Sequence, residues 1–131
     1  MADREELSWD QFGAATQQLA SAVVADDFVP DLILAVARGG LFVAGALGYA
    51  LEVKNVHMMN VDKRLEAPVL LPPLPDVANL GGARMLIADD VADTGATLRF
   101  VRDFCAEHVA EVRCAVVYQK PQSEVDCDYI W

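Results

Sequence analysis

A chain of 131 residues, 54% of them hydrophobic, fits one domain with a sizeable core and excludes a disordered polymer. Twenty acidic against ten basic side chains give a formal charge of −10, which repels phosphate backbones and speaks against a nucleic-acid partner. The longest apolar run, Leu41 to Leu51, is too short to span a bilayer, and the charged start MADREELSWDQF has no signal-peptide core.

In chain order, Ser8 precedes an apolar series of Trp9, Phe12, Thr16, Leu19 and Val23. That spacing draws one stripe on a helix capped by Ser8 and ending near Asp26 or Asp27. Asp31 to Ala37 is a short continuous apolar run bounded by proline and glycine, the mark of a strand buried on both faces of a parallel sheet. Leu41 to Leu51, with Ala44, Gly45, Ala46 and Gly48, reads as a buried helix that packs close to a sheet. Val53 to Val61 reads as a second strand.

Residues 62 to 82 change character. Pro68, Pro72, Pro73 and Pro75 forbid a central strand or helix there, although Leu70 and Leu71 could form a brief edge strand. A loop of this length in a compact domain is functional or mobile. The domain is therefore expected to run from 1 to 131 with a flexible proline-rich loop at about 62–82. Beyond it, Arg84 to Ala88 is a third strand, Ala96 to Glu107 a helix with Leu98, Val101 and Cys105 on one face, and Glu111 to Tyr118 a fourth strand. Asp128 to Trp131 begins a fifth. The order implies an α/β fold, a doubly wound and mainly parallel sheet flanked by helices. Cys105, Cys114 and Cys127 have no ligand spacing and read as reduced structural thiols, the usage of a cytoplasmic protein. His57 and His108 also lack ligand spacing and receive no role.

The chemistry concentrates in Leu86 to Thr97. A buried strand ends, Asp89 and Asp90 follow, and Asp93-Thr94-Gly95-Ala96-Thr97 opens a helix. Ligands of open α/β sheets sit outside the carboxyl ends of strands. The first amides of a helix lack partners and its dipole is positive there, which suits a phosphate. Gly95 allows close backbone approach, and Thr94 and Thr97 add hydroxyl donors. Ionised Asp89 and Asp90 accept only, so they suit a diol or a hard cation. One corner thus offers a phosphate cup beside a diol or metal clamp, which describes a ribose 5-phosphate. Ala37-Arg38-Gly39-Gly40 repeats the theme: strand end, glycine turn, helix start and one guanidinium make a second anion site.

The run from Leu86 to Thr97 resembles the phosphoribosyl pyrophosphate (PRPP) motif of the type I phosphoribosyltransferases. Arg38-Gly39-Gly40-Leu41 is similar to the pyrophosphate loop of the xanthine-guanine members. The likeness implies that Asp89 and Asp90 hold the ribose hydroxyls and Mg²⁺, and that Thr94, Gly95, Ala96 and Thr97 hold the 5-phosphate. It further implies that Ala37, Arg38 and Gly39 hold pyrophosphate, with a cis peptide at Ala37–Arg38. An Asp before the Thr-Gly marks the 6-oxopurine branch, which makes Asp93 the general acid/base. Gln119-Lys120-Pro121 is similar to the Lys-Pro that reads the exocyclic oxygen of a purine, so Lys120 is the base-binding residue. Lys63 and Arg64 fall in the family's lid. Family likeness also implies a homodimer or homotetramer acting in purine salvage.

One departure stands out. Relatives continue past the Tyr129-Ile130-Trp131 region with residues that stack on the base, so the hood reads as truncated. Three other readings compete: a non-catalytic PRPP-binding regulator, a phosphoribosyltransferase for a non-purine base, and a phosphatase or receiver domain. The last needs a nucleophilic Asp after the first strand, where this chain has Ala37-Arg38-Gly39.

Overall fold

The computed structural model describes residues 6–62, 69–71 and 80–131. Lys63, Arg64 and the four loop prolines lie outside the described residues. Helix α1 (Trp9–Ala25) starts on a capping box in which Ser8 Oγ accepts from Gln11 N at 3.1 Å and Gln11 Oε1 accepts from Ser8 N at 2.9 Å. Strand β1 (Leu32–Val36), fully buried, leads to α2 (Gly40–Ala50) and β2 (Val56–Asp62). The short β3 (Val69–Leu71) pairs antiparallel with β2 at the sheet's edge. Strand β4 (Arg84–Ala92), α3 (Ala96–Ala106), β5 (Glu111–Gln119) and β6 (Tyr129–Ile130) complete the order.

The sheet runs β3-β2-β1-β4-β5-β6, and every pair except β2–β3 is parallel. Alternate strand residues feed two cores, as a period of two requires. Ile33, Ala35, Leu86, Ala88, Ala115 and Val117 face α1 and α2. Leu34, Met85, Ile87, Cys114 and Val116 face α3. Helices on both faces make the fold doubly wound, and the three thiols are free and buried. Burial lifts the Cys105 thiol to about 11, which removes it from thiolate chemistry at neutral pH.

Two expectations need correction. Trp9 is 74% exposed instead of joining the buried stripe; its ring meets Phe12 and Phe42 edge-on, with centroids 5.7 and 6.0 Å away. And β4 does not stop at Ala88. Its pairing with β1 ends at Ala35–Ala88, whereas its pairing with β5 continues to Ala92–Gln119. The acidic pair therefore lies within the strand, on a stretch supported from one side only. The crevice opens on the other side, where the chain order of the strands reverses between β1 and β4.

Candidate active site at the sheet's switch point

Two turns meet in this crevice. In the first, between β1 and α2, the Ala37–Arg38 peptide is cis. Ala37 N donates to Met59 O at 3.0 Å, which anchors the turn to β2. Gly39 and Gly40 are there for space. A Cβ on Gly39 would overlap the Asp90 carboxylate, and one on Gly40 would overlap the Ala88 carbonyl oxygen. With no Cβ at either position, the start of α2 settles directly on Ala88 to Asp90 of β4. Arg38 is exposed at the lip and makes no ion pair among the described residues.

The second turn leaves β4. Asp89 is 9% exposed and its Oδ1 accepts from Asp90 N at 2.8 Å; Asp90 Oδ1 accepts from Val91 N at 2.7 Å. These carboxylates satisfy amides on the unsupported length of the strand. Gly95 has φ +81°, a left-handed conformation that favours glycine. A Cβ there would also come within 2.6 Å of Ser123 Oγ and 2.8 Å of the amides of Glu124 and Val125. No side chain caps α3. Thr94 Oγ1 accepts from Ala96 N at 3.2 Å, while the buried Thr97 Oγ1 has no hydrogen-bond partner among the described residues. Buried hydroxyls are normally paired, so this one stands out.

Together these turns line a cavity of about 410 Å³. Ala37, Arg38, Gly39, Asp89, Asp90, Asp93, Thr94, Gly95 and Thr97, all singled out from the sequence, share its wall. Ala96 and Lys120 do not line it. Ala96 is the exposed first residue of α3. Lys120 reaches the site through Asp93, its Nζ 3.4 Å from Asp93 Oδ1. A cavity of about 820 Å³ behind α2, lined by Gly45, Gly48, Tyr49 and Val53, touches no carboxyl end of a strand and none of these groups.

Comparison of the whole chain with known proteins decides the family. The model of the phosphoribosyl transferase domain matches residues 7–131. The chain belongs to the phosphoribosyltransferase family. It is 32% identical to a xanthine-guanine phosphoribosyltransferase of Ruegeria sp. (strain TM1040), across 93% of this chain and 74% of that one. It is also 32% identical to a protein of the same description from Roseobacter denitrificans (strain ATCC 33942 / OCh 114), across 90% and 72%. The solved purine phosphoribosyltransferase of Pyrococcus horikoshii Ot3 superposes with a TM-score of 0.86 at 34% identity, across 95% of this chain and 83% of its own. The fold is thus the type I phosphoribosyltransferase sheet.

Two features of this phosphoribosyltransferase domain escape a reading of the sequence. Gln122 Nε2 donates to Asp93 Oδ1 at 2.8 Å. A glutamine two residues past Lys120 carries no motif, and only the folded turn brings it to Asp93. An apolar pocket of about 470 Å³, formed by Leu7, Trp9, Phe12, Phe42, Val117 and Tyr118, shares Gly39, Asp90 and Val91 with the polar cavity.

Proposed function

We propose that this domain transfers the 5-phosphoribosyl group of PRPP to a purine base, most fittingly a 6-oxopurine, and releases pyrophosphate. The observation that carries the reading is the meeting, in one crevice, of an acidic pair and an uncapped helix start whose Thr97 hydroxyl has no partner among the described residues. The printed names of the relatives, purine and xanthine-guanine phosphoribosyltransferases, support the base class.

In this reading Thr94, Gly95, Ala96 and Thr97 hold the 5-phosphate, with α3's dipole favouring its charge. Ala37, Arg38 and Gly39 hold pyrophosphate, Asp89 and Asp90 the ribose hydroxyls. The acidic pair also fits Mg²⁺. Its donors are hard oxygens, which suit an ion that shares its shell with substrate phosphates and water. When bound, Mg²⁺ would neutralise charge on the pyrophosphate. The bond from C1 of ribose to the pyrophosphate oxygen breaks, the bond from C1 to a base nitrogen forms, and Asp93 takes the proton that the base ring sheds. Lys120 turns to the base carbonyl. Pre-alignment of the two reactants lowers the remaining barrier.

The outward Phe42 and Tyr49 of α2, 63% and 92% exposed, favour a homodimer or homotetramer. Buried free thiols favour a cytoplasmic setting. No helix among the described residues is long and apolar enough to cross a membrane. The decisive experiment incubates the protein with PRPP, Mg²⁺ and a panel of hypoxanthine, guanine, xanthine, adenine, uracil and orotate. Pyrophosphate should appear with the 6-oxopurines. PRPP binding without base-dependent pyrophosphate would make the domain a regulator, and release with a pyrimidine alone would overturn the purine assignment.

A further inference from the structure

Asp93 is held by one oxygen. Gln122 Nε2 donates to its Oδ1 at 2.8 Å, and Lys120 Nζ stands 3.4 Å from the same atom. A carboxylate only accepts, so the glutamine must present its nitrogen. On the function proposed above, on which this inference rests, Lys120 serves two partners, Asp93 and a carbonyl on the base. Its contact with Asp93 is long, and a reach toward the base draws it further off, which leaves the Asp93 side chain, 57% exposed, to its other partner.

Gln122 does not depend on that departure. It sits in a turn closed by Ser123 N to Lys120 O at 3.0 Å, and backbone bonds fasten that turn to the end of β4, Lys120 N to Ala92 O at 2.9 Å, and to the loop after it, Glu124 N to Thr94 O at 2.6 Å. The turn is anchored again by the seat of Gly95 against Ser123, Glu124 and Val125. We propose that Gln122 is a positioning residue: its amide fixes Asp93 Oδ1 when Lys120 turns to the base, so that Oδ2 faces the nitrogen that loses its proton. A neutral donor suits this task. It orients the carboxylate without the charge that would compete with the incoming proton, and the neighbouring lysine remains available.

The test uses the full chain with PRPP, Mg²⁺ and hypoxanthine. Gln122→Leu should lower kcat roughly tenfold, the size of one charged hydrogen bond. The PRPP Kd by calorimetry and the urea midpoint should stay at the wild-type values. Gln122→Glu, of the same shape, should lower kcat further through repulsion. In the Asp93→Asn background Gln122→Leu should add almost nothing, because the partner is already altered. An unchanged kcat in Gln122→Leu, or an equal additional loss in the Asp93→Asn background, overturns the role while leaving the enzyme's function intact. A wild-type protein that releases no pyrophosphate with any base overturns the function, and this role with it.

Discussion

The two ends of the sheet solve opposite problems. At the amino end, polar groups close on one another. Asp31 Oδ2 accepts from Arg84 N at 2.8 Å, and Arg84 and Arg113 both reach Glu111, at 3.2 and 2.9 Å. Arg113 also donates to Tyr129 OH at 2.9 Å and pairs with Asp26, which accepts from Tyr129 OH at 2.8 Å. Phe28, 2% exposed, lies under both guanidiniums, 4.6 Å from Arg113 and 5.3 Å from Arg84. The Tyr129 bond leads the causes that push Arg113 above its ordinary value, and burial leads those that raise the Tyr129 phenol. At the carboxyl end, the carboxylates and the exposed Arg38 line a cavity, and Thr97 Oγ1 has no hydrogen-bond partner among the described residues. Groups at the amino end stabilise the fold by satisfying each other; on the function proposed above, those at the carboxyl end would also meet a ligand.

That contrast predicts separable phenotypes. The largest effect belongs to Asp93→Asn, which should cut turnover roughly a thousandfold, within the range for a lost general acid/base. PRPP binding by calorimetry should persist and the urea midpoint should not move. Turnover equal to wild type would remove Asp93 from the chemistry. Next comes Phe28→Ala at the opposite end. Deleting a buried phenyl costs about 3 kcal/mol and removes the surface on which two guanidiniums rest. Denaturation should shift strongly, while turnover per folded molecule stays near wild type. A variant of wild-type stability would show that the two arginines, not the ring, hold the clamp.

How legible each end was in the sequence follows the same division. The carboxyl end is built from neighbours in the chain: Asp89 to Thr97 is one uninterrupted run, and Ala37 to Gly40 another, so residue type and order reveal them. The strands were legible for a related reason, since Leu32 to Val36 and Arg84 to Ala88 are continuous apolar runs. What escaped was set by distant partners. That β4 runs on to Ala92 depends on β5 outlasting β1 as its neighbour, a fact of register. Gln122 meets Asp93 across 29 positions, and Arg113 meets Asp26 across 87. No local pattern marks such pairs. Trp9 obeyed the helical spacing and still stayed exposed, because it lines the open apolar pocket beside Phe12 and Phe42 instead of entering the core.

A smaller test sharpens the meaning of the orphan hydroxyl. Thr97→Val keeps the side chain's shape and removes only the oxygen. If that oxygen awaits phosphate, PRPP affinity should fall about tenfold, the worth of one hydrogen bond to an anion. Stability should hold or rise slightly, since a buried unsatisfied group disappears. A clear loss of stability would show that the hydroxyl already works within the fold.

The smallest effect concerns Glu111. The Arg113 hydrogen bond, then the charges and bonds of Arg113 and Arg84, hold its carboxyl below the ordinary range against a smaller opposing push from burial. A carboxyl whose folded value is depressed contributes stability above its unfolded value and loses it as pH falls through the folded one. The pair is half open to water, with side chains 36% to 41% exposed, so solvent screens most of the attraction. Glu111→Gln should therefore unfold at slightly lower urea than wild type at pH 7, and the gap should close as the solution is taken below pH 4. The same titration leaves Arg113 charged throughout, as any guanidinium is between pH 7 and pH 3. A gap of constant size from pH 7 to pH 3 would mean that Glu111 acts by shape and hydrogen bonding alone, and the clamp at the amino end would owe its strength to Phe28 and Tyr129 instead of to paired charge.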